Sequence, residues 1–227
     1  MAYMGKQDNI FEGGNLSGLP FTFNQEVTEV FEDMIDRSVP GYKTSLSLIA
    51  HNAKKYYQSN TNCYDIGCSL GASSLSILKG AKDANVTAID NYEAMIQECE
   101  RRFNILKESH HLKFICEDIM DSDLKDASLI VVNYVIQFLD MEHRDILLEK
   151  IYHKNMFETK RLFKTHHKFK SSNGYSDLEI SGKRDALEGV LKTECEQDHI
   201  LRAKKAGFSN SEKILSNLNF RTFKFLK

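Results

Sequence analysis

The feature that most constrains this chain is a change of rhythm near residue 62. From there on, short apolar runs alternate with helical ones. "NCYDIG" reads as a strand and "ASSLSILKGA" as a helix. "NVTAIDN" is the next strand, and "EAMIQECERRFNILKES" is a helix with Met95, Cys99, Phe103 and Leu106 on its inner face. "LKFICEDI" and "ASLIVVNYVIQFL" read as strands, and "HRDILLEKIY" as a helix. Strands joined through helices run parallel, and right-handed crossovers place the helices on both faces of the sheet. The spacing therefore predicts an α/β fold with a mostly parallel sheet. The tail breaks the alternation: "SEKILSNLNF" and "RTFKFLK" read as two strands joined by a short turn, an antiparallel hairpin at the edge of that sheet.

Before the change of rhythm the pattern is helical. "TFNQEVTEVFEDMI" puts Val27, Val30, Phe31 and Met34 on one face, with Thr22 and Gln25, or Asn24 alone, as its cap. Pro40 stops that helix, and a second follows with Leu46, Ile49, Ala50 and Ala53 together. Residues 1–20, rich in Gly and Asn, are expected to be a flexible arm, and residues 21–227 a single domain.

The net charge of -2 argues against bulk binding to nucleic acid. The five cysteines include no C-x-x-C pair, and Cys63, Cys68, Cys99 and Cys116 fall inside apolar patterns, as core thiols in a reducing compartment do. No run is long enough to span a bilayer, and the start lacks the signal-peptide pattern, so a cytoplasmic protein is expected. His166 and His167 are adjacent and do not share a helix face, so no metal site is expected.

In an open parallel sheet, ligands bind beyond the carboxyl ends of the strands. "NCYDIGCSLGASS" lies at such an end. Gly67 and Gly71 allow a sharp turn and close approach of a ligand, and the next helix offers free N–H groups. Ser69 occupies the middle glycine position of a dinucleotide fingerprint, and Asp65 would repel a pyrophosphate. An acid there suits a cationic ligand, such as the amine or sulfonium of S-adenosylmethionine. The bland alternative is a glycine turn with no ligand. Asp90 ends the second strand where an acid takes a ribose diol, or else caps the next helix. Asp118 and Ile119 end the third strand, where adenine could meet a carboxylate and an apolar wall. Asn133 ends the fourth. Together these polar groups would line one rim.

With these motifs the chain resembles the carboxy-S-adenosyl-L-methionine synthase family, of Rossmann-like methyltransferase fold. The resemblance rests on "EVFEDMIDRSVPGY", "YDIGCSLGASSLSI", "AIDNYEAMI", "EDI", "VVNYVIQFL", "HHKFKSSNGYSDLEISGKRDALEGV" and "KAGF", and runs from about Phe21 to the end. It implies a cofactor site of Tyr42, Gly67, Cys68, Ser69, Asp90, Asn91, Asp118, Ile119 and Asn133, to which the residue reading adds Asp65. It implies an N-terminal helical lid, with Tyr42 closing over the cofactor; packing is Tyr42's alternative role. It also implies that Arg184 clasps the extra carboxylate of the carboxylated cofactor. Two parallel charge-assisted bonds would favour that ligand by about 2 kcal/mol. From composition alone, Arg184 is a surface arginine paired with Asp185 or Glu188.

The implied reaction converts S-adenosylmethionine and prephenate to carboxy-S-adenosylmethionine and phenylpyruvate. Prephenate becomes aromatic by losing carbon dioxide and hydroxide. The hydroxide would take an acidified methyl proton, and the sulfur ylide would capture the carbon dioxide. Family members are homodimers whose product serves a tRNA carboxymethyltransferase acting on wobble uridine; no direct binding of nucleic acid or membrane is implied. Basic "KTHHKFK" (164–170) could attract prephenate's carboxylates, could touch tRNA, or could be a solvated helix face. Tyr175 would sit near the site or the dimer contact. One departure stands out. After "EKIYHKN" the family has a further central strand, whereas this chain runs directly into "MFETKRLFKTHHKFK", so a central strand after Asn155 is expected to be missing. Either the neighbouring strands close up or natural residues are absent from the chain. The alternatives are an ordinary S-adenosylmethionine-dependent methyltransferase and a protein that holds the cofactor without turnover.

Overall fold

A computed structural model describes residues 6–12, 21–151, 170–217 and 220–226. Four parallel strands, β1 (Asn62–Ile66), β2 (Asn85–Asp90), β3 (Leu112–Cys116) and β4 (Ala127–Val132), form a sheet in the order β3-β2-β1-β4. The chain builds outward from β1 to β3, then returns to place β4 on the other side of β1. That reversal opens a crevice at the carboxyl ends of β1 and β4. Central β1 is covered on both faces, so Cys63 through Ile66 are all buried and no polar alternation marks the strand.

The period of two still sorts the core. Cys63 packs on one face with Ile77 of α3 (Ala72–Gly80), Cys99 and Phe103 of α4 (Glu93–Ser109), and Ala53 of α2 (Tyr42–Tyr56). Tyr64 and Ile66 pack on the other with Leu147 and Ile151 of α5 (Met141–Ile151). The first helix, α1 (Gln25–Ser38), is capped by Asn24, whose side-chain oxygen accepts from the Val27 N–H at 3.1 Å. Its Val27, Phe31 and Met34 pack on Leu70 and Met95, which lays α1 over the turn that follows β1.

Two helices follow the segment 152–169, which lies outside the described residues: α6 (Asp177–Leu187) and α7 (Glu196–Lys205). Ser176 and Glu179 form a reciprocal capping box that starts α6. The expected hairpin then forms from β5 (Asn210–Asn217) and β6 (Phe220–Leu226), antiparallel throughout. It is a two-stranded sheet of its own: among the described residues neither strand bonds to β4, so the edge position expected from sequence is not taken. Phe223 and Phe225 hold it instead, packed with Leu148 of α5, Ala203 of α7, Ile136 and Phe208. Among the described residues the parallel sheet ends at β4, and the expected loss of a central strand after Asn155 falls in 152–169, outside the described residues.

Three sequence expectations need correction. Part of the supposed flexible arm is packed: Asp8 is 1% exposed and Phe11 is 5% exposed. Phe11 has an apolar place to fill and Asp8 has buried donors to meet, so ordering them is favourable. Secondly, the run "ASLIVVNYVIQFL" is not one strand. β4 ends at Val132, Tyr134 takes a positive φ of 61°, and Ile136–Phe138 forms a 3-10 turn. A continuous apolar run cannot distinguish a buried strand from a buried turn of helix. Thirdly, Cys116 is exposed, at the carboxyl end of β3, while Cys63, Cys68 and Cys99 are buried.

Candidate functional site

The turn after β1 is built on two left-handed glycines. Gly67 has φ 64°, and a Cβ there would lie 2.3 Å from Val135 Cγ2. Gly71 has φ 76°, and its Cβ would lie 2.7 Å from Phe103 Cε2. Side chains are excluded at both places by conformation and by space. Between them Ser69 also adopts a positive φ, 47°. Its N–H donates to Asp90 Oδ2 at 2.9 Å, and its carbonyl lies 3.1 Å from Cys99 Sγ. The turn of β1 is thereby clamped to the end of β2.

Asp90 is central to this clamp. Its Oδ1 accepts from the Tyr92 N–H at 3.0 Å, but Tyr92 is the N-cap of α4 and no side chain caps that helix, so Asp90 fastens the loop before the helix and does not cap the helix itself. A carboxylate offers about four acceptor positions, which leaves capacity for a ligand. Burial raises its pKa, opposed by those backbone donors.

A cavity of about 750 Å³ opens over this rim. Its walls include Tyr42, Gly67, Cys68, Ser69, Asp90, Asn91, Asp118, Ile119, Asn133 and Arg184, which brings together every site residue expected from sequence except Asp65. Asp118 Oδ1 accepts from the Met120 N–H at 2.8 Å, fixing its carboxylate beside the apolar Ile119. Asn133 Nδ2 donates to Ser73 Oγ, 3.2 Å away in the first turn of α3. Tyr42 stands at the start of α2 with its ring 6.0 Å from that of Tyr134. Burial first, and then the charge of Asp65, hold its phenol far above the usual range.

Asp65 is a correction. It does not line the cavity; it is 1% exposed, beneath the wall. Ser74 Oγ donates to its Oδ2 at 2.6 Å, while its buried Oδ1 has no partner among the described residues. Desolvation raises its pKa to about 7, with Ser74 opposing and Asp90 adding to the rise. A buried acceptor left unmatched costs about 1–3 kcal/mol. Beneath the wall its ionised form acts on the cavity only through space, where it favours a ligand bearing a cationic group.

Arg184 lines the cavity from α6 while pairing with its neighbour. Its Nε and Nη2 donate to Asp185 Oδ1 at 3.0 and 2.7 Å, and the side chain is 58% exposed. An exposed pair of this kind is worth well under about 1 kcal/mol. It leaves the guanidinium free to exchange partners.

Residue reasoning missed a second polar cluster. Lys183 Nζ lies 3.2 Å from both Asp8 Oδ2 and Ser38 Oγ, and the Tyr175 hydroxyl also donates to Asp8. Arg37 donates to Asp33 Oδ2 at 2.9 Å and to the Asp8 carbonyl at 3.1 Å, and its guanidinium stacks 3.8 Å over the Tyr175 ring. Tyr175, expected near the site or a dimer contact, is a buried member of this cluster, and its pKa is pushed far up by burial and by Asp8. Lys183 and Lys170 both reach the cavity wall. A signal existed: Ile180, Lys183 and Leu187 fall at one helical face, which places a lysine in an apolar stripe. His166, His167 and the rest of 164–169 lie outside the described residues.

Comparison with known proteins agrees with the fold. A family described as methyltransferase domain matches residues 64–154. The carboxy-S-adenosyl-L-methionine synthase of Citrobacter koseri is 39% identical over 242 residues, covering 99% of this chain and 98% of that protein. An alignment of 242 residues onto a chain of 227 leaves positions of the relative without a counterpart here. Among solved structures, an S-adenosyl-L-methionine-dependent methyltransferase from Methanococcus maripaludis, its function assigned only provisionally, matches with a TM-score of 0.60 at 16% identity, over 93% of this chain and 97% of that one. Human N-acetylserotonin methyltransferase in complex with S-adenosylmethionine matches with a TM-score of 0.60 at 14% identity, over 89% of this chain and 55% of that one.

Proposed function

The chain belongs to the carboxy-S-adenosyl-L-methionine synthase family, and from that premise we propose that it converts S-adenosylmethionine and prephenate to carboxy-S-adenosylmethionine, phenylpyruvate and water. The observation that carries this reading is the gathering of ten expected residues, from four strand ends and two helices, around one cavity. The adenosine lies across the rim, its ribose on Asp90 and its adenine between Asp118 and Ile119. The ammonium of its amino-acid tail lies on the wall above Asp65, favoured through space by that carboxylate and not by direct contact. Tyr42 closes over it.

The protein's own contribution is placement and dryness. Prephenate releases carbon dioxide and hydroxide as its ring becomes aromatic. Both must be used before water intervenes, so the two substrates need to meet in a closed space. The lid of α1 and the aromatic wall of Phe21, Phe23 and Phe138 supply that closure. Arg184 turns from Asp185 to the new carboxylate, which favours the carboxylated product over its parent.

A cytoplasmic homodimer handing its product to a tRNA carboxymethyltransferase accords with the family; exposed Leu178 and Leu201 offer apolar surface for a subunit contact. No described helix is long and apolar enough to cross a membrane. The domain reading that goes with this is one unit over 21–227, joined by at least residues 6–12. A second reading, cofactor binding without turnover, is favoured by the separation of the hairpin from β4. Mass spectrometry of ligand extracted from the purified protein, followed by turnover with and without prephenate, decides between them. The carboxylated cofactor and prephenate-dependent phenylpyruvate support synthesis. Bound S-adenosylmethionine with no turnover supports the second reading.

A further inference from the structure

The cations at the α6 end of the cavity can be matched one by one with carboxylates. Lys183 has Asp8, Arg37 has Asp33, and Arg184 has Asp185. Across the cavity, Lys192 has Asp140 and Arg144 has Glu194. Lys170 is the exception. It is half-buried in the cavity wall, and among the described residues its ammonium makes no hydrogen bond or ion pair. A buried cation without a partner is costly, and here the neighbouring Lys183 adds repulsion. The backbone explains why it stays in place: the Lys170 carbonyl accepts from the N–H groups of Asn173 and Tyr175, at 3.0 and 3.2 Å. Tyr175 is itself anchored on Asp8. The lysine is thus held facing the cavity by the same cluster that buries Lys183.

We propose that Lys170 binds the second substrate, its ammonium taking one carboxylate of the dicarboxylic acid at the α6 end of the cavity. This rests on the reading above that the second substrate is prephenate. Arg184 is needed for the carboxylate that forms on the cofactor, so the second substrate requires a cation of its own. Lys170 is the unmatched one on that wall. Lys183 acts as a positioning residue: matched by Asp8, it excludes other cations and completes a positive end to the cavity. In the empty protein the Lys170 ammonium is pushed down to about 8, by burial first and then by Lys183, with Asp8 opposing. An arriving carboxylate restores the charged form, so binding favours pH values below about 8. Lys183 and Arg184 of α6, Glu188 just after it, Glu32, Asp33 and Arg37 of α1, Asp8 and Tyr175 are among the other charged and titratable groups in or beside this end of the cavity.

The test is calorimetric titration of prephenate into the full chain saturated with S-adenosylhomocysteine, which has no sulfonium methyl and cannot react. For Lys170→Met, prephenate affinity is expected to fall about tenfold or more, with S-adenosylhomocysteine affinity within about twofold of wild type. Lys170→Arg is expected to keep most of the prephenate affinity. Wild-type affinity should decline above about pH 8, and that of Lys170→Met should decline less steeply, since only Lys183, whose pKa burial also lowers, still titrates there. Lys170→Gln serves in the same way should the methionine variant fold poorly. Unchanged prephenate affinity in the methionine or glutamine variant overturns the assignment while leaving the second substrate in place. An equal loss of S-adenosylhomocysteine affinity overturns it in favour of the cofactor's own carboxylate. Absence of prephenate binding by the wild type overturns both the assignment and the substrate reading.

Discussion

The two sides of β4 are held by different physics. Towards β1, β2 and β3 the backbone is a continuous parallel ladder, and the rim of the cavity hangs on its ends. On the other side, among the described residues, the backbone ladders of β5 and β6 pair only with each other, and the hairpin is fixed by buried aromatic side chains against α5 and α7. Ladder bonding sets register to the residue, whereas apolar packing rewards area and tolerates small shifts. A binding site that needs several strand ends in register therefore depends on the first side. The second side mainly closes the core, so changes there are expected to leave the geometry of the rim intact.

The comparison breaks first at the hairpin. Phe225 is fully buried, so Phe225→Ala should cost about 3–5 kcal/mol in denaturant unfolding, while the folded fraction keeps its S-adenosylhomocysteine affinity within about threefold. If affinity collapses along with stability, the two sides are not independent.

The next effect is a pH dependence that belongs to the rim side. Asp65 titrates near 7 in the folded empty protein and in the ordinary carboxylate range when unfolded. The folded form therefore holds its proton longer, and stability is full below the unfolded value and is lost as pH rises to about 7. The slope is at most about 1.4 kcal/mol per pH unit, or roughly 3 kcal/mol between pH 4.5 and 7. Urea unfolding across that range should show it, and Asp65→Asn should flatten it. A stability that rises over this interval in both proteins contradicts the burial assigned to Asp65.

A third test loads the turn itself. Gly67→Ala forces a methyl group against Val135 in a left-handed conformation, and should lose about 2–3 kcal/mol of stability together with most cofactor affinity. Phe225→Ala and Gly67→Ala thus separate the two sides by opposite effects on binding per folded molecule. The smallest effect is selective. Arg184→Ala should fold normally and lose about 2 kcal/mol of preference for carboxy-S-adenosylmethionine over S-adenosylmethionine, read by competition calorimetry. Equal preference before and after the change removes Arg184 from the site.

The same contrast explains what could be read from the sequence. Gly67, Ser69, Asp90, Asp118 and Asn133 each sit within a few residues of a strand whose pattern is local, so their convergence followed from topology. Asp65 was legible as part of the motif but not as buried beneath the wall, because its depth depends on Ser74 and the packing of α3. The pairing of Lys183 with Asp8 spans 175 positions and leaves no local trace. Nor could the hairpin's detachment from β4 be read from strand patterns, since those set pairing within the hairpin but not what lies beside it. Tyr134 shows a further limit. A bulky residue at positive φ is strained, and nothing in "VVNYVIQFL" signals it.

The central claim is that an adenosyl sulfonium lies on the rim and is carboxylated there. It is tested most directly by incubating the purified chain with S-adenosylmethionine and prephenate and weighing the products by mass spectrometry. The account predicts carboxy-S-adenosylmethionine and phenylpyruvate in equal amounts, each requiring both substrates. Phenylpyruvate formed at the rate seen without protein, with S-adenosylmethionine recovered unchanged, would contradict it.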